Sequence, residues 1–208
     1  MRTILMLALT VGLPLVGKPN LLLSWPILFL SALGIFLNLS RPTNEARPQV
    51  TSKRDQISKR VMVFSVLLCF SIPIFDYAYV TRPQIEFAQV TTVLGFILIS
   101  IGILMKYWCM YCLKEFFVED IQVQKNHKII QQGPYRFLRH PSYLGAWLRL
   151  FGISIFMQCK MGVMWIIFIV IPIYAYRIFL EELMLSQSFG AEYKEYQKNT
   201  WKVLPYIF

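Results

Sequence analysis

The sequence predicts an all-α integral membrane protein that crosses the bilayer several times. Of its 208 residues, 56% are hydrophobic and 15% are charged, whereas soluble domains average about 45–50% apolar and about 25% charged residues. The apolar residues form long runs, and a bilayer core requires about 20 helical residues per crossing. Most Lys and Arg residues lie between these runs, so the net charge of +10 indicates membrane topology rather than a nucleic-acid partner.

Six apolar runs follow one another along the chain, at about 3–17, 21–39, 61–80, 90–113, 142–158 and 162–180. Gly17-Lys18-Pro19-Asn20 is typical of a tight turn, so the first two runs predict a helical hairpin. The last two runs are short and closely spaced, which predicts a second hairpin that crosses the membrane fully or only in part. We therefore expect about five to six transmembrane helices, followed by a cytoplasmic C-terminal helix at about 181–199.

The loops between the runs predict the orientation of the chain. Basic residues are concentrated in the 41–60 and 114–140 segments and in the C-terminal tail. The intervening loops contain only Lys18, Arg82 and Lys160. Because Lys and Arg near helix ends favour the cytoplasmic side, we expect both termini, and any site formed by these polar segments, to be cytoplasmic.

Charged residues within apolar runs are candidates for function, because burying them in a membrane is unfavourable. Arg177 and Glu181 share one face of the last helix at a spacing of four residues, and Glu182 follows directly. Arg177 suits an anionic group, and the carboxylates suit hydroxyls or an amine. A helix-end salt bridge is the structural alternative. For Arg149, the sequence is equally consistent with a structural role and a functional role. Asp76 lies near the end of its run and is expected to be structural.

A second cluster of polar and aromatic residues lies at 133–143, where the fifth apolar run begins. Gly133-Pro134 forms a turn, and Pro141 suits the first turn of a helix. Between them lies His140, one of only two histidines in the chain. A helix N-terminus favours anionic groups, so this segment predicts a ligand site, with an interfacial aromatic belt as the alternative.

The sequence lacks the usual motifs of metal and nucleotide binding. Cys109 and Cys112 have CxxC spacing, but no second pair accompanies them, so we expect buried apolar side chains and no metal site. Neither G-x-G-x-x-G nor G-x-x-x-x-G-K-[ST] occurs in the chain. A nucleotide-like cofactor would therefore be bound by another architecture.

Two blocks of the C-terminal half resemble a known family. QGPYRFLRHPSYLG at 132–145 and YRIFLEELMLSQSFGAEYKEYQKNT at 176–200, with Leu-Pro at 204–205, are similar to the isoprenylcysteine carboxyl methyltransferase family and its prokaryotic relatives. The similarity covers about residues 115–208. With six apolar runs rather than about eight, the chain resembles the compact prokaryotic form, which leaves a prenylated-protein substrate open.

The resemblance implies that two regions of one integrated membrane domain have different roles. Residues 1–113 would supply N-terminal transmembrane helices, and 114–208 would bind S-adenosylmethionine and a lipophilic acceptor entering from the bilayer. Arg177 and Glu181 would be catalytic, and Arg177 and Arg149 would bind substrate. The implied cofactor-binding residues are Gln124, His127, Lys128, Ile129, Ile130, Tyr135, His140, Pro141, Ser142, Tyr143, Glu181 and Glu182.

The resemblance implies a membrane methyltransferase that O-methylates the carboxylate of a prenylated cysteine or a similar lipophilic acid. A carboxylate is already ionised at neutral pH, so this reaction requires alignment rather than a general base. A thiol, amine or lipid head group as acceptor stays open, and an acceptor that must lose a proton would use His140 or Glu182 as the base. A reductase using a nicotinamide cofactor and a non-enzymatic membrane binding or transport protein are further alternatives. No metal and no nucleic acid is expected as a partner.

Overall fold

The computed structural model describes residues 8–39, 53–81, 85–114 and 129–205. Helices dominate this part of the chain, and its β-type pairing is an isolated bridge between Leu138 and Trp201, which confirms the all-α prediction. The helices are α1 (Trp25–Leu39), α2 (Lys53–Phe75), α3 (Val90–Leu113), α4 (Pro141–Phe156), α5 (Lys160–Phe189) and α6 (Ala191–Lys198). Two of these helices include a π-helical turn. Asp76–Val80 continues α2 beyond Phe75, and Ile166–Val170 lies within α5.

Three described helical segments are long and apolar enough to cross a bilayer, and they match three of the predicted runs. They are Gln56–Val80, Val90–Leu113 and Lys160–Phe189, while α1 is a shorter apolar helix. The described part of the first run differs from a regular helix, since it consists of short turns at Ala8–Gly12 and Leu13–Leu15. Pro14 lies in the second of these turns, and a proline inside a helix removes a backbone hydrogen bond.

Helices α3 and α4 pack antiparallel with their backbones in close contact. Gly95 and Gly102 of α3 face Gly152 and Gly145 of α4, respectively. A Cβ atom at Gly102 would lie 2.5 Å from the Gly145 carbonyl oxygen, and one at Gly95 would lie 2.8 Å from that of Gly152. Small residues allow this close approach in membrane helices. The contact holds the start of α4 beside the end of α3.

Helices α4 and α5 form the hairpin that the last two apolar runs predicted. Trp147 and Leu150 of α4 share one buried apolar cluster with Ile166, Val170 and Ile178 of α5. The hairpin brings the start of α4 next to the second half of α5. The two polar segments singled out in the sequence therefore lie at the same end of the helix pair.

The final helix begins later than predicted, because the chain turns sharply at Gly190. This residue has a φ angle of +55°, which glycine adopts without steric strain. Residues 181–189 consequently belong to α5, and α6 contains only Ala191–Lys198. Tyr193 and Tyr196 of α6 are buried, so the short helix packs on the protein rather than extending into solvent.

The segment after α6 is hydrogen-bonded to the turn before α4. The Trp201 N–H donates to the Phe137 carbonyl at 3.1 Å, the Arg139 N–H donates to the Trp201 carbonyl at 2.8 Å, and the His140 N–H donates to the Lys202 carbonyl at 2.9 Å. This pairing fixes the backbone that carries His140.

Candidate active site

His140 lies between the two adjacent carboxylates at the end of α5. Its Nδ1 is 3.6 Å from Glu181 Oε2, and its Nε2 is 3.5 Å from Glu182 Oε1. The hydroxyl of Tyr143, in the first turn of α4, donates to Glu181 Oε2 at 3.0 Å. His140 is buried, with 3% of its surface exposed. The structure thus brings together four residues that the sequence analysis assigned to one site.

Arg139 forms a buried ion pair with Glu182. The distance from Arg139 Nε to Glu182 Oε1 is 2.6 Å, and the side chains are only 7% and 11% exposed. Arg139 Nη1 also donates to the Gln197 carbonyl at 3.2 Å and to the Thr200 carbonyl. Glu182 is therefore held mainly by protein groups, and Arg139 joins α5 to the end of α6 and to the residues that follow it. This role of Arg139 was not predicted from the sequence, although the residue lies within the block quoted for the resemblance.

Arg177 lies inside the helix bundle, one turn of α5 before Glu181. It is 1% exposed, and its Nη1 donates to the Ser58 hydroxyl of α2 at 3.3 Å. Arg177 also interacts with Tyr143, whose hydroxyl bonds to Glu181. Tyr143 thus connects the buried cation to the acidic cluster. Ser58 was not predicted from the sequence, because nothing local links it to a residue 119 positions away.

Tyr135 packs at the end of α3, beside the CxxC sequence. Its hydroxyl interacts with the Cys109 thiol, and burial raises the pKa of Tyr135 well above its usual range, so the phenol stays neutral. Gly133 has a φ angle of +58°, and a Cβ atom there would lie 2.5 Å from Cys112 Sγ. Both cysteines are free thiols that pack against this turn.

The other residues predicted to bind cofactor or substrate lie at the start of α4, before the turn at Gly133, on α4 itself, or outside the described residues. Pro141 is the first residue of α4 and is buried, and Ser142 follows in the first turn. Ile129 and Ile130 are half-buried in irregular chain before the turn. Gln124, His127 and Lys128 lie outside the described residues. Arg149 donates to the Gly102 carbonyl of α3 at 3.4 Å, a contact between helices rather than with the acidic cluster.

The buried Tyr193 hydroxyl has no hydrogen-bond partner in the part of the chain that the structure describes. His140 Nε2 is also buried, and it lies 3.5 Å from Glu182 Oε1. The Glu181 side chain is 29% exposed, more open than the 11% of Glu182. Buried polar groups are nearly always satisfied, so an unpaired hydroxyl at a site with a partly open carboxylate fits a small ligand with cationic or hydroxyl groups.

Comparisons with known proteins agree with this fold. A family model described as phospholipid methyltransferase matches residues 90–192. The protein-S-isoprenylcysteine O-methyltransferase of Saccharomyces cerevisiae is 28% identical over 153 residues, which cover 69% of this chain and 61% of that protein. A probable protein-S-isoprenylcysteine O-methyltransferase of Oryza sativa subsp. indica is 26% identical over 127 residues, which cover 60% of this chain and 66% of the relative.

The fold is also similar to that of a solved structure. The structure of the eukaryotic intramembrane Ras methyltransferase, an isoprenylcysteine carboxyl methyltransferase, matches 98% of this chain and 73% of its own length, with a TM-score of 0.58 and 21% sequence identity. This likeness shows a shared membrane-helical fold.

The fold is that of a helical membrane protein, and just under half of the chain is similar to the phospholipid methyltransferase family. The curated relatives are isoprenylcysteine O-methyltransferases, so the resemblance found in the sequence is confirmed. The chain spans about three fifths to two thirds of the length of the two curated relatives.

Proposed function

We propose that this protein is an S-adenosylmethionine-dependent membrane methyltransferase that O-methylates the carboxylate of a prenylated cysteine or a similar lipophilic acid. The observation that carries the proposal is Arg177, a fully buried guanidinium one turn from the acidic cluster on α5. The names of the yeast and rice relatives support the same reaction. When bound, S-adenosylmethionine would supply an electrophilic methyl group.

Arg177 would hold the acceptor carboxylate. A guanidinium remains charged when it is buried, and it can donate two parallel hydrogen bonds to a carboxylate. Ser58 and Tyr143 contact Arg177 from α2 and α4, so the cation is held in place before the acceptor arrives. Such alignment of reacting groups can lower a barrier by several kcal/mol.

The acidic cluster would hold the cofactor. Glu181 and His140 would face its polar end, whereas Glu182 is held by Arg139 and by Lys202, whose Nζ lies 3.7 Å from Glu182 Oε2. We also propose cofactor contacts for Tyr135, Pro141, Ser142 and Tyr143 and, from the resemblance, for Gln124, His127, Lys128, Ile129 and Ile130. Arg149 stays a predicted substrate-binding residue.

We place both termini and the site on the cytoplasmic side of the bilayer. The basic loops support this orientation. In this arrangement 1–113 would anchor the protein, and 114–208 would carry the chemistry. A lipophilic acceptor would then reach Arg177 from the membrane, while a soluble cofactor would reach Glu181 from the cytoplasm.

The family model supplies a second candidate, since it is described as phospholipid methyltransferase. An amine in a lipid head group would be the acceptor, and an ammonium must lose its proton before it attacks. Glu182 is poorly suited to accept that proton, because Arg139 and Lys202 already stabilise its charged form. His140 would be the remaining base.

The experiment follows methyl transfer from labelled S-adenosylmethionine by the purified protein in lipid bilayers. Farnesylcysteine and phosphatidylethanolamine serve as competing acceptors, and the amide of farnesylcysteine is the control without a carboxylate. We expect a base-labile methyl ester from the acid alone. Base-stable label in the lipid would support the second candidate, and absence of both cofactor binding and transfer would overturn the methyltransferase assignment.

Two substitutions test the role of Arg177. Arg177→Ala is expected to reduce ester formation at least a hundredfold while cofactor affinity stays within about twofold, since a lost charged contact of roughly 3 kcal/mol corresponds to that factor. Arg177→Lys, which keeps the charge but loses the planar fork, should retain intermediate activity. If both variants bind the cofactor as weakly as a Glu181→Ala variant does, Arg177 belongs to the cofactor site instead.

A further inference from the structure

Two tyrosines on α6 are buried to a similar degree but differ in hydrogen bonding. Tyr193 is 2% exposed and Tyr196 is 6% exposed. The Tyr196 hydroxyl donates to the Tyr135 carbonyl at 2.6 Å, so its role is to hold α6 on the turn before α4. The Tyr193 hydroxyl has no hydrogen-bond partner among the residues that the structure describes.

The Tyr193 hydroxyl belongs to the acidic end of the site. It interacts electrostatically with Glu182, Arg139 and Glu181. Burial raises the pKa of Tyr193 above its usual range, so the phenol is neutral and can both donate and accept a hydrogen bond. A buried hydroxyl left unpaired destabilises the protein, and one that interacts electrostatically with two carboxylates at a partly open site therefore indicates a ligand.

The charges around this hydroxyl indicate the chemistry of that ligand. Glu182 is already paired with Arg139 at 2.6 Å. Glu181 bonds to the Tyr143 hydroxyl at 3.0 Å, lies 3.6 Å from His140 Nδ1 and keeps 29% of its side chain exposed. A partly open carboxylate that interacts with a neutral buried hydroxyl favours a ligand ammonium group.

We propose that Tyr193 is a cofactor-binding residue, and that its hydroxyl accepts a hydrogen bond from the ammonium group of the cofactor's amino-acid end while Glu181 compensates the charge. This inference rests on the proposed function. The turn at Gly190, with its φ angle of +55°, carries α6 back over the end of α5 and so brings Tyr193 to the site.

The experiment compares Tyr193→Phe with Tyr196→Phe, each purified in lipid bilayers. S-adenosylhomocysteine is the first probe, and 5′-methylthioadenosine, which lacks the amino-acid end, is the second. Calorimetry gives the affinity of each probe, and thermal unfolding of the ligand-free protein gives the stability of each variant.

Tyr193→Phe is expected to weaken S-adenosylhomocysteine binding about tenfold and to leave 5′-methylthioadenosine binding unchanged. Its ligand-free unfolding midpoint should equal or exceed that of the wild type, because the substitution removes an unpaired buried hydroxyl. Tyr196→Phe should lower the midpoint, because it removes a satisfied hydrogen bond, and should leave the ratio of the two affinities unchanged.

Three outcomes would overturn the inference. Unchanged S-adenosylhomocysteine affinity in Tyr193→Phe would mean that the hydroxyl does not contact the cofactor. Equal weakening of both probes would place the hydroxyl on the shared adenosine portion. Failure of the wild-type protein to bind either probe would overturn the proposed function itself, and this inference with it.

Discussion

The α3–α4 interface and the junction of α4, α5 and α6 are held together by different kinds of contact. At the interface, Gly95 and Gly102 bring backbone against backbone, so no side chain separates the helices. At the junction, Arg139 and Glu182 form a buried ion pair, and His140 lies between two carboxylates. The α3–α4 interface therefore depends on small residues that let the backbones meet, whereas the junction depends on the pairing of buried charged side chains.

This difference indicates where the molecule can bind a ligand. A backbone contact leaves no space for a ligand between the helices, so the glycine interface serves as a rigid support. The junction keeps Glu181 partly exposed and leaves the buried Tyr193 hydroxyl without a hydrogen-bond partner within the described chain. Substitutions that change volume should disturb the first region, and substitutions that change charge should disturb the second.

The largest effect is expected from Arg139→Ala at the junction. This variant leaves the buried Glu182 carboxylate without its closest cation, and breaking a buried ion pair in this way costs about 3–5 kcal/mol. It also removes the bonds that join Arg139 to the Gln197 and Thr200 carbonyls. Thermal unfolding in lipid or detergent should show a markedly lower midpoint.

The control for Arg139→Ala is the double variant Arg139→Met with Glu182→Met. Replacing both members of a buried pair by apolar residues is often neutral, so the double variant should be more stable than Arg139→Ala. If the stability losses of the single variants Arg139→Met and Glu182→Met simply add up in the double variant, Glu182 is stabilised without Arg139.

A smaller effect is expected from Gly95→Ala at the glycine interface. The added Cβ would lie 2.6 Å from Phe156 Cβ and 2.8 Å from the Gly152 carbonyl oxygen, so α3 and α4 must separate, at about 1–3 kcal/mol. The matched control is Gly34→Ala on α1, where nothing lies within 4 Å of the new atom. Gly34→Ala should leave the unfolding midpoint unchanged or raise it, and a similar loss in both variants would refute the close contact.

The smallest effect is expected from Glu195→Gln on the outer face of α6. Glu195 and Lys198 form an ion pair at 2.8 Å, but both side chains are mostly exposed, at 66% and 71%. Lys198 lowers the pKa of Glu195, so the small stabilisation exists at neutral pH and is lost as the pH falls through the lowered value. The variant should unfold at the wild-type midpoint at pH 7, and a shift comparable to that of Arg139→Ala would contradict the distinction between buried and exposed pairs.

Local spacing in the sequence predicted much of the candidate site. Arg177 and Glu181 share a helix face because four residues span about one helical turn. The cluster around His140 follows directly from the residues at the start of α4. Both features lie within one element, so the sequence contains the geometry that relates their side chains.

Contacts between distant segments were not predictable in the same way. The pairs Arg139–Glu182 and Arg177–Ser58 join residues 43 and 119 positions apart, and only the packing of the helices brings them together. The end of α5 was also missed, because apolar and aromatic spacing continues past Gly190 while the backbone turns there. The predicted division at 113/114 stays a prediction, and the close packing of α3 on α4 crosses it.

The pairing of the Trp201 and Lys202 carbonyls with the Arg139 and His140 N–H groups bears on how the protein is made. A ribosome synthesises the turn before α4 about sixty residues earlier than the segment that fixes it. A nascent chain that has inserted every helix through α5 therefore still lacks a completed site. Membrane insertion and assembly of the site are thus separate events, and the second must wait until Trp201 and Lys202 have left the ribosome.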